Sequence, residues 1–483
     1  YFHNTLHFTN TPFTDAVIDI RRTTIKQYYG YYSGNLYRYA LFFSSSPLLR
    51  TTLSLTDSYI NSDRVGLMLS GSTIGDGSVL IIDNTNLKGG CSGSGCVYGY
   101  NALQFVLDGG RFDWHPSSRI TGYGGVHITS ARDETGFAFN LSETSSTYAM
   151  TILMKRCTGC LIAINKTTVK AHANAKARIS ATSWVDSTIL IDQLSMPSSS
   201  LEIGGAEEWN NTDIVITRSS GASLRLWATD WICDGCRTHI GDSNFNGFTL
   251  DVDTASSLVL TIADTTLGSF VTTAAMHSAS QVLFQTVTVT GAVQWSGEFN
   301  DTSRLMIYDS YFHNTLHFTN TPFTDAVIDI RRTTIKQNFG YHPNNVHRYA
   351  LLFSSSPLLR TTLSLTDSHI NSDRVGLMLS GSAIGDGSVL IVDNTNLQGG
   401  CSGSGCVYGY NALQFILDGG RFDWHPSSRI TGYGGVHITS LRDETGFAFN
   451  LSETSSTYAM TISMKRCTGC LIAINKTTVR PHA

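Results

Sequence analysis

The sequence has little charge, little proline and no long apolar run. Only 14% of its 483 residues are Asp, Glu, Lys or Arg, and 9 are proline. The net charge of −4 includes no basic cluster, which excludes the electrostatic footprint that nucleic-acid binding requires. No stretch of about 18 apolar residues occurs, so no membrane span is predicted.

Apolar residues are abundant at 41%, and the chain contains 44 glycines together with many serines and threonines. This composition is typical of an ordered, β-rich protein. No amphipathic helical pattern of useful length is present. The sequence therefore predicts an all-β fold.

A long internal repeat dominates the sequence. Residues from Tyr1 recur in the same order from Tyr311, and this offset of 310 residues holds to Ala483. Residues 1–173 and 311–483 differ at 17 positions, so about 90% of them are identical. We expect residues 1–310 to form one full repeat of continuous solenoid and 311–483 a partial second repeat.

Five of the differences fall within 32–37 and the matching 342–347, which predicts an exposed loop there. Both ends of the chain cut the repeat in mid-pattern, and the sequence begins without Met or a signal peptide. We expect the chain to be a window onto a longer array of 310-residue units, with its true termini outside this window. A deliberately trimmed piece is the alternative.

A shorter motif recurs within the long repeat: alternating apolar residues, then Asp, Thr or Arg, then small polar residues and another apolar residue. Neighbouring anchors lie about 22 to 26 residues apart, a spacing expected for one coil of a solenoid. The anchors are SLTDSYI at Asp57, LIIDNTNL at Asp83, QFVLDGGRF at Asp108, LVLTIADTTL at Asp264, LFQTVTV at Thr286, MIYDSYF at Asp309 and DIRRTTI at Arg332.

These spacings predict a right-handed parallel β-helix, in which each turn pairs with the next at about 4.8 Å. One 310-residue unit would rise roughly 60 Å on that spacing. Asp, Asn, Thr and Gly suit the corners, because corners need residues that tolerate left-handed backbone. A β-sandwich would lack the steady coil period, and a propeller would repeat at about 40 to 50 residues.

The cysteines form local pairs with none left over, which predicts disulfides that pin solenoid corners in an oxidising compartment. Half-sites for zinc or a thioredoxin-like redox site remain as alternatives for the CxxC pairs. The pairs are Cys91 with Cys96, Cys157 with Cys160, Cys233 with Cys236, Cys401 with Cys406, and Cys467 with Cys470.

Six sequons match N-x-S/T, and single matches arise by chance in Ser/Thr-rich chains. Together with the paired cysteines they favour an extracellular or cell-surface protein, with some of these residues glycosylated. The sequons are at Asn140, Asn165, Asn210, Asn300, Asn450 and Asn475.

The coil motif over nearly the whole chain resembles the pectate-lyase-like parallel β-helix superfamily. The long repeat, the D-[ST]-x-apolar corners and the RCTGC and ICDGC pairs are similar in style to giant repetitive surface proteins of kinetoplastids and their relatives, the dispersed gene family type. The first resemblance implies polysaccharide-degrading relatives, some with N-x-D, paired Asp and G-H-G segments. Of these three segments only N-x-D occurs here, for example at 211–213, so we assign no catalytic residue.

One polar cluster is a candidate sugar-binding patch, formed by Asp113, Trp114, His115 and Arg119 in RFDWHPSSR. Trp114 would stack on a pyranose ring and the polar groups would bind its hydroxyls. The matching Trp424 and His425 would form a second patch. The alternative is a loop in which Trp114 packs on the solenoid.

Two functions follow as expectations. The first is a structural segment of a large surface protein that forms a rod, filament or appendage, with neighbouring repeats or other copies as partners. The second is a carbohydrate-binding or polysaccharide-degrading protein, which would need carboxylates about 5 to 10 Å apart on one face. Neither requires a cofactor or a metal.

Overall fold

Parallel pairing between successive turns organises the computed structural model, and every pair of named strands in it is parallel where its register is defined. The residues it describes are 1–27, 39–89, 101–115, 117–122, 124–142, 149–169, 176–228, 232–337, 349–400, 411–432, 434–445, 447–452 and 460–475. None of these residues lies in a helix. The predicted all-β parallel solenoid is therefore confirmed.

The chain forms two compact units. Unit 1 comprises residues 1–232 and 243–245, and unit 2 comprises 233–242 and 246–483. The division falls within the first sequence repeat, whereas residues 304–337, where the two repeats join, lie wholly inside unit 2.

Each turn of unit 1 contributes a strand to two long faces and shorter strands to the corners between them. Face A contains Val17–Arg21, Thr52–Thr56, Val79–Asp83, Arg111–Trp114, Ala138–Ser142, Leu161–Asn165, Thr188–Asp192 and Asp213–Thr217. Face B contains Leu6–Thr9, Tyr39–Ser44, Val65–Gly75, Asn101–Asp108, Gly125–Ser130, Met150–Thr158, Lys176–Val185, Ser195–Asn210 and Ser220–Ala228. The shorter strands are Phe13–Thr14, Thr24–Lys26, Leu48–Leu49, Tyr59–Asn61, Asn86–Gly89, Arg119–Gly122, Asp133–Thr135 and Asn244–Phe245.

Unit 2 repeats this arrangement. Face A contains Arg237–Gly241, Val259–Ala263, Gln281–Gln285, Arg304–Tyr308, Val327–Arg331, Thr362–Thr366, Val389–Asp393, Arg421–Trp424, Ala448–Ser452 and Leu471–Asn475. Face B contains Phe248–Asp251, Phe270–Thr272, Val293–Trp295, Leu316–Thr319, Tyr349–Ser354, Val375–Gly385, Asn411–Asp418, Gly435–Ser440 and Met460–Ser463. The shorter strands are Thr254–Ser256, Thr266–Leu267, Ala275–His277, Thr288–Val289, Tyr311–Phe312, Phe323–Thr324, Thr334–Lys336, Leu358–Leu359, His369–Asn371, Asn396–Gly399, Arg429–Gly432, Asp443–Thr445 and Arg466–Thr468, while Ile232–Asp234 spans the division between the units.

Alternation along the strands builds the core. In the strand Thr362–Thr366, Leu363 and Leu365 are fully buried, whereas the three residues that alternate with them are only half-buried. Because successive side chains of a strand point to opposite sides, one set fills the interior and the other faces outward. Stacked rings extend the same core between turns, as where Phe318 lies 4.8 Å from Phe353.

The recurring anchor residues occupy left-handed corners. Asp309 has φ of 52°, and Asp57, Asp264, Thr286 and Arg332 have φ between 46° and 55°. At the other two anchors the following residue takes this conformation: Asn84 follows Asp83 with φ of 42°, and Gly109 follows Asp108 with φ of 85°. The anchors therefore mark the corners, as their residue types predict.

The hydroxyl residue after the anchor has a separate role inside the corner. In Asp309-Ser310-Tyr311-Phe312, Ser310 is buried, Tyr311 is half-buried on the outside and Phe312 is in the core. The Ser310 hydroxyl donates to the carbonyl of Tyr308 at 2.7 Å and accepts the N–H of Val287 at 3.1 Å. The D-[ST]-x-apolar motif therefore encodes a corner, a buried hydrogen bond to the neighbouring turn, an outward residue and a core residue.

Candidate functional surfaces

The junction between the two sequence repeats is built as an ordinary turn-to-turn contact. Arg304–Tyr308, the last face A strand of the first repeat, pairs with Val327–Arg331 over five residues without a register shift. Thr288–Val289 pairs in the same way with Tyr311–Phe312. The second repeat thus continues the pairing of the first.

Buried hydroxyls also run through this junction. The N–H of Val287 donates to Ser310, that of Ser310 to Thr333 and that of Thr333 to Ser368, at 3.1, 3.4 and 3.2 Å. The series continues in the next turn, where the N–H of Ser368 donates to the hydroxyl of Thr395 at 3.2 Å. We call this column the hydroxyl ladder, and it crosses from one repeat to the next without a gap.

Charged pairs flank the ladder on its outer side. Arg332 donates to Asp309 at 2.6 and 2.9 Å, which holds the pKa of that carboxyl below its ordinary value. The Tyr308 hydroxyl donates to Asp329 at 2.9 Å, and burial, aided by Asp329, raises the pKa of the Tyr308 phenol. An exposed ion pair such as that of Arg332 with Asp309 contributes little stability by itself.

The two repeats show what the junction buries. Phe312 is 1% exposed, whereas Phe2, the same residue of the first repeat, is 49% exposed. Val17 is 76% exposed, while its equivalent Val327 is half-buried against the preceding strand. The turn formed by residues 281–308 therefore covers the apolar surface that includes Phe312 and Val327. The equivalent residues of the first repeat, Phe2 and Val17, are exposed to water.

The candidate sugar-binding patch is dispersed in the structure. Trp114 is 6% exposed and packs edge-on against Phe139, so its ring offers no stacking surface. Asp113 faces outward and pairs with Arg111 at 2.8 Å. His115 lies 3.5 Å from Asp83.

Arg119 begins the strand Arg119–Gly122 on a different side of the turn from Asp113, and its side chain is exposed. In the row of outward residues on face A, the neighbour of Asp113 in the preceding turn is Ile81 rather than a second carboxylate. Trp424 is likewise 6% exposed. This geometry does not favour sugar stacking or a carboxylate pair at either position.

A shallow groove of about 230 Å³ in unit 1 does bring two carboxylates together. It is lined by apolar residues that include Phe13 and Leu48 and by the acids Asp76 and Asp108. Arg132 lies between the two acids, 3.2 Å from Asp76 and 2.5 Å from Asp108. Because both carboxylates bind this guanidinium, the groove provides no free acid and base of the kind that glycosidases use.

Two of the cysteine pairs have disulfide geometry, with Cα–Cα distances of 5.7 Å for Cys157 and Cys160 and 5.8 Å for Cys467 and Cys470. Cys236 is also disulfide-bonded, while the side chain of Cys233 lies outside the described residues. Cys91, Cys96, Cys401 and Cys406 lie outside them as well. No group of three or more His, Cys, Asp or Glu in the described part of the chain could hold a metal ion.

The sequons differ in exposure. Asn140 is exposed on face A, whereas Asn165, Asn210 and Asn300 are half-buried. The side chains of Asn450 and Asn475 lie outside the described residues, as do the variable segments 32–37 and 342–347. Among the four sequons whose side chains are described, Asn140 is the most open to modification.

Sequence reasoning missed an outward tryptophan, Trp227, on face B of unit 1. It lies beside the exposed Arg225 in the strand Ser220–Ala228, where the buried Leu224 and Leu226 take the inward positions. The alternation in LRLW was the available signal.

Within the described ranges, no helix combines the length and apolarity needed to cross a membrane. Comparison with protein-family models, curated proteins and solved structures finds no match for this chain.

Proposed function

We propose that this chain is a structural repeat segment of a large extracellular or cell-surface protein, in which 310-residue units stack end to end into a rod, filament or appendage. The observation that carries the proposal is the hydroxyl ladder, which passes through the junction of the two repeats. A separate domain would end its core at the repeat boundary, but here the boundary has the same kind of strand pairing and hydroxyl contact as the turn that follows it.

Near-identity of the repeats supports the same function. In a solenoid, stability is a sum over units and nearest-neighbour interfaces, so identical units give identical junctions along an array. The paired cysteines and the sequons favour the extracellular setting, because disulfides persist in oxidising compartments. Membership of the pectate-lyase-like superfamily belongs to this proposal and is supported by the coil motif. The likeness to the kinetoplastid surface proteins belongs to it as well and is supported by the long repeat, the D-[ST]-x-apolar corners and the RCTGC and ICDGC pairs.

The test is to lengthen the chain by one unit. A further copy of residues 1–310 is inserted after residue 310, and the particles are measured by electron microscopy beside the 483-residue chain. We expect a straight extension of roughly 60 Å, as stacked turns at about 4.8 Å require. Two particles joined at a hinge, or no gain in length, would contradict the proposal.

A matched pair of variants locates the effect at the junction. Phe312→Asp places a charge in the buried junction, whereas Phe2→Asp changes the same residue where it is already half-exposed. We expect Phe312→Asp in the lengthened chain to bend or fray the particle, because an unpaired charge is costly in an apolar interior. Phe2→Asp should leave the length unchanged.

A further inference from the structure

Unit 1 presents one open edge of its solenoid, which we call the head edge. It consists of the strands Leu6–Thr9, Phe13–Thr14 and Val17–Arg21. Val17–Arg21 is the last strand of its sheet and pairs with Thr52–Thr56. Among the residues that the structure describes, no strand pairs with its other side. The head edge therefore offers backbone N–H and C=O groups to a further strand.

The second repeat shows which kind of surface covers this edge. Residues 1–27 recur unchanged at 311–337. There the strand Val327–Arg331 is paired on both of its sides, within the stack of turns. Ile328 is fully buried in that strand, whereas its equivalent Ile18 is only half-buried in the head edge. The residues of the head edge thus fit the side of another solenoid turn.

Unit 2 presents an open edge of the opposite kind, which we call the tail edge. It consists of the strands Met460–Ser463, Arg466–Thr468 and Leu471–Asn475. Leu471–Asn475 pairs with the strand of the preceding turn, Ala448–Ser452. In the part of the chain that the structure describes, no following turn pairs with it. The tail edge therefore exposes the side of a turn that faces forward along the stack.

The first repeat shows what the tail edge leaves uncovered. Leu161–Asn165 has the same sequence as Leu471–Asn475, and the next turn covers it with the strand Thr188–Asp192. Ile164 is 1% exposed in this arrangement, whereas its equivalent Ile474 is 53% exposed. Core residues of the tail edge are therefore in contact with water until another turn is added.

The two edges have the same turn geometry. In the head edge, Asp15 has left-handed backbone with φ of 52° and lies two positions before the face A strand that begins at Val17. In the tail edge, Gly469 has φ of 65° and lies two positions before Leu471. The face B strands begin equally far upstream, at Leu6 and Met460. The strands of one edge can therefore oppose those of the other without a gap in either chain.

The side chains are compatible in this register. Ile472 lies opposite Ile18, and Ile474 lies opposite Ile20, so the apolar interior continues from one edge into the other. The strand Leu471–Asn475 carries no charge and brings no like charge against the head edge. Apolar side chains and strand direction thus match together.

We propose that the tail edge of one copy of this chain binds the head edge of a second copy. This inference rests on the proposed function, because it uses the turn-to-turn pairing that joins the repeats. Every strand pairing with a defined register is parallel, so the added strand runs parallel to Val17–Arg21 and extends its sheet. The contact joins unlike edges, and each bound copy retains one free edge to which a further copy can add.

Two like edges do not fit each other in this way. Bringing two head edges face to face reverses the direction in which one of the chains circulates, and the opposed strands become antiparallel. No registered strand pair in either unit has that direction. The same argument applies to two tail edges, so the binding is selective for a head with a tail.

The experiment measures the mass of the 483-residue chain by sedimentation velocity over a range of concentrations. We expect the average mass of the parent to rise with concentration. Ile18→Lys blocks the head edge and Ile474→Lys blocks the tail edge, because each places a charge in the interior that the contact would form. Each variant alone should keep the mass of one chain. An equimolar mixture should reach the mass of two chains and no more, because one free tail then meets one free head.

Ala473→Lys is the matched control for Ile474→Lys. The equivalent Ala163 faces outward between two buried isoleucines, so a lysine at 473 stays outside the contact and should leave association unchanged. Ile18 is half-buried and Ile474 exposed in the single chain, so both lysines are compatible with folding. Circular dichroism and urea midpoints equal to those of the parent establish that each variant is folded.

Four results would overturn the proposal: a parent that stays at the mass of one chain, association of either blocked variant by itself, a mixture that stays at the mass of one chain, or an equal loss with Ala473→Lys. The lengthened chain described above tests the covalent array separately. A straight extension of that chain together with a parent of single-chain mass would leave the proposed function standing and remove only the binding between copies.

Discussion

The hydroxyl of Ser368 accepts a hydrogen bond of 3.2 Å from the backbone N–H of Thr333 in the preceding turn. The same hydroxyl donates to the carbonyl of Thr366 at 2.8 Å. Ser368 is 4% exposed, so water cannot replace either partner easily. A single side-chain oxygen thus satisfies a backbone donor of one turn and an acceptor of its own corner.

Replacing Ser368 with alanine should therefore destabilise unit 2. The Thr333 amide would remain buried without an acceptor, which costs about 1–3 kcal/mol. The expected results are a lower urea midpoint and faster hydrogen exchange at the Thr333 amide. Ser364→Ala is the control, because Ser364 is an outward residue of the neighbouring strand Thr362–Thr366, and it should change stability by less than about 0.5 kcal/mol. Equal effects of the two substitutions would show that the ladder has no special role.

Much of this architecture is predictable from the residues alone. Asp57 and Asp309 mark corners because a residue in the left-handed conformation is needed wherever the chain turns, and the sequence repeats such residues at the coil period. The role of the following Ser or Thr was not predicted. Its partner is in the next turn, and local sequence does not show which residue lies opposite.

The surface sites were harder to predict for the same reason. In RFDW, Phe112 and Trp114 lie on the same side of the strand and both are buried. Alternation alone would therefore have placed Trp114 on the inner side and Asp113 on the outer side. The contact of the Trp227 ring with Gly204 depends on the register between two turns, which places Gly204 one strand away from Trp227. Register between turns is a tertiary property that a single sequence does not determine.

A histidine that differs between the repeats should make unit 2 sensitive to acid. His369 replaces Tyr59 of the first repeat, and burial, together with nearby Lys336, lowers the pKa of its imidazole below 6.5. The Asn396 amide nitrogen lies 3.1 Å from Nδ1, and Thr431 donates to the oxygen of that amide at 2.9 Å, which orients the nitrogen toward the ring. This arrangement suits the neutral imidazole.

Because the folded pKa is the lower one, the unfolded chain binds more protons just below pH 6.5, and stability falls as the pH is lowered through that value. The half-exposed site should give only a fraction of the limiting slope of about 1.4 kcal/mol per pH unit. Urea midpoints at about pH 8 and about pH 5.5 should differ less for His369→Tyr than for the parent. An unchanged difference would assign the pH dependence to other groups.

The two CTGC segments should differ in their resistance to reduction. Cys157 and Cys160 are 0% and 2% exposed, whereas Cys467 is exposed and Cys470 half-buried in the 483-residue chain. Thiol–disulfide exchange requires an attacking thiolate to reach a sulfur atom, so the Cys467–Cys470 disulfide should be reduced first. Timed alkylation under a mild reductant measures this rate. The fast phase should disappear when Cys467 and Cys470 are replaced by serine and persist when Cys157 and Cys160 are replaced.

Glycosylation should favour Asn140 over Asn165, although both carry sequons on neighbouring strands of face A. Asn140 is exposed, so a glycan attached there extends into solvent. Asn165 is half-buried, and its Oδ1 atom is buried with no hydrogen-bond partner among the described residues, so a glycan attached to this amide would have to fit against a packed surface. Peptide mapping by mass spectrometry after secretion from a glycosylating cell should show higher occupancy at Asn140. Ser142→Ala removes that sequon and should abolish the Asn140 glycan alone, while equal occupancy at Asn165 would mean that modification precedes the packing of this face.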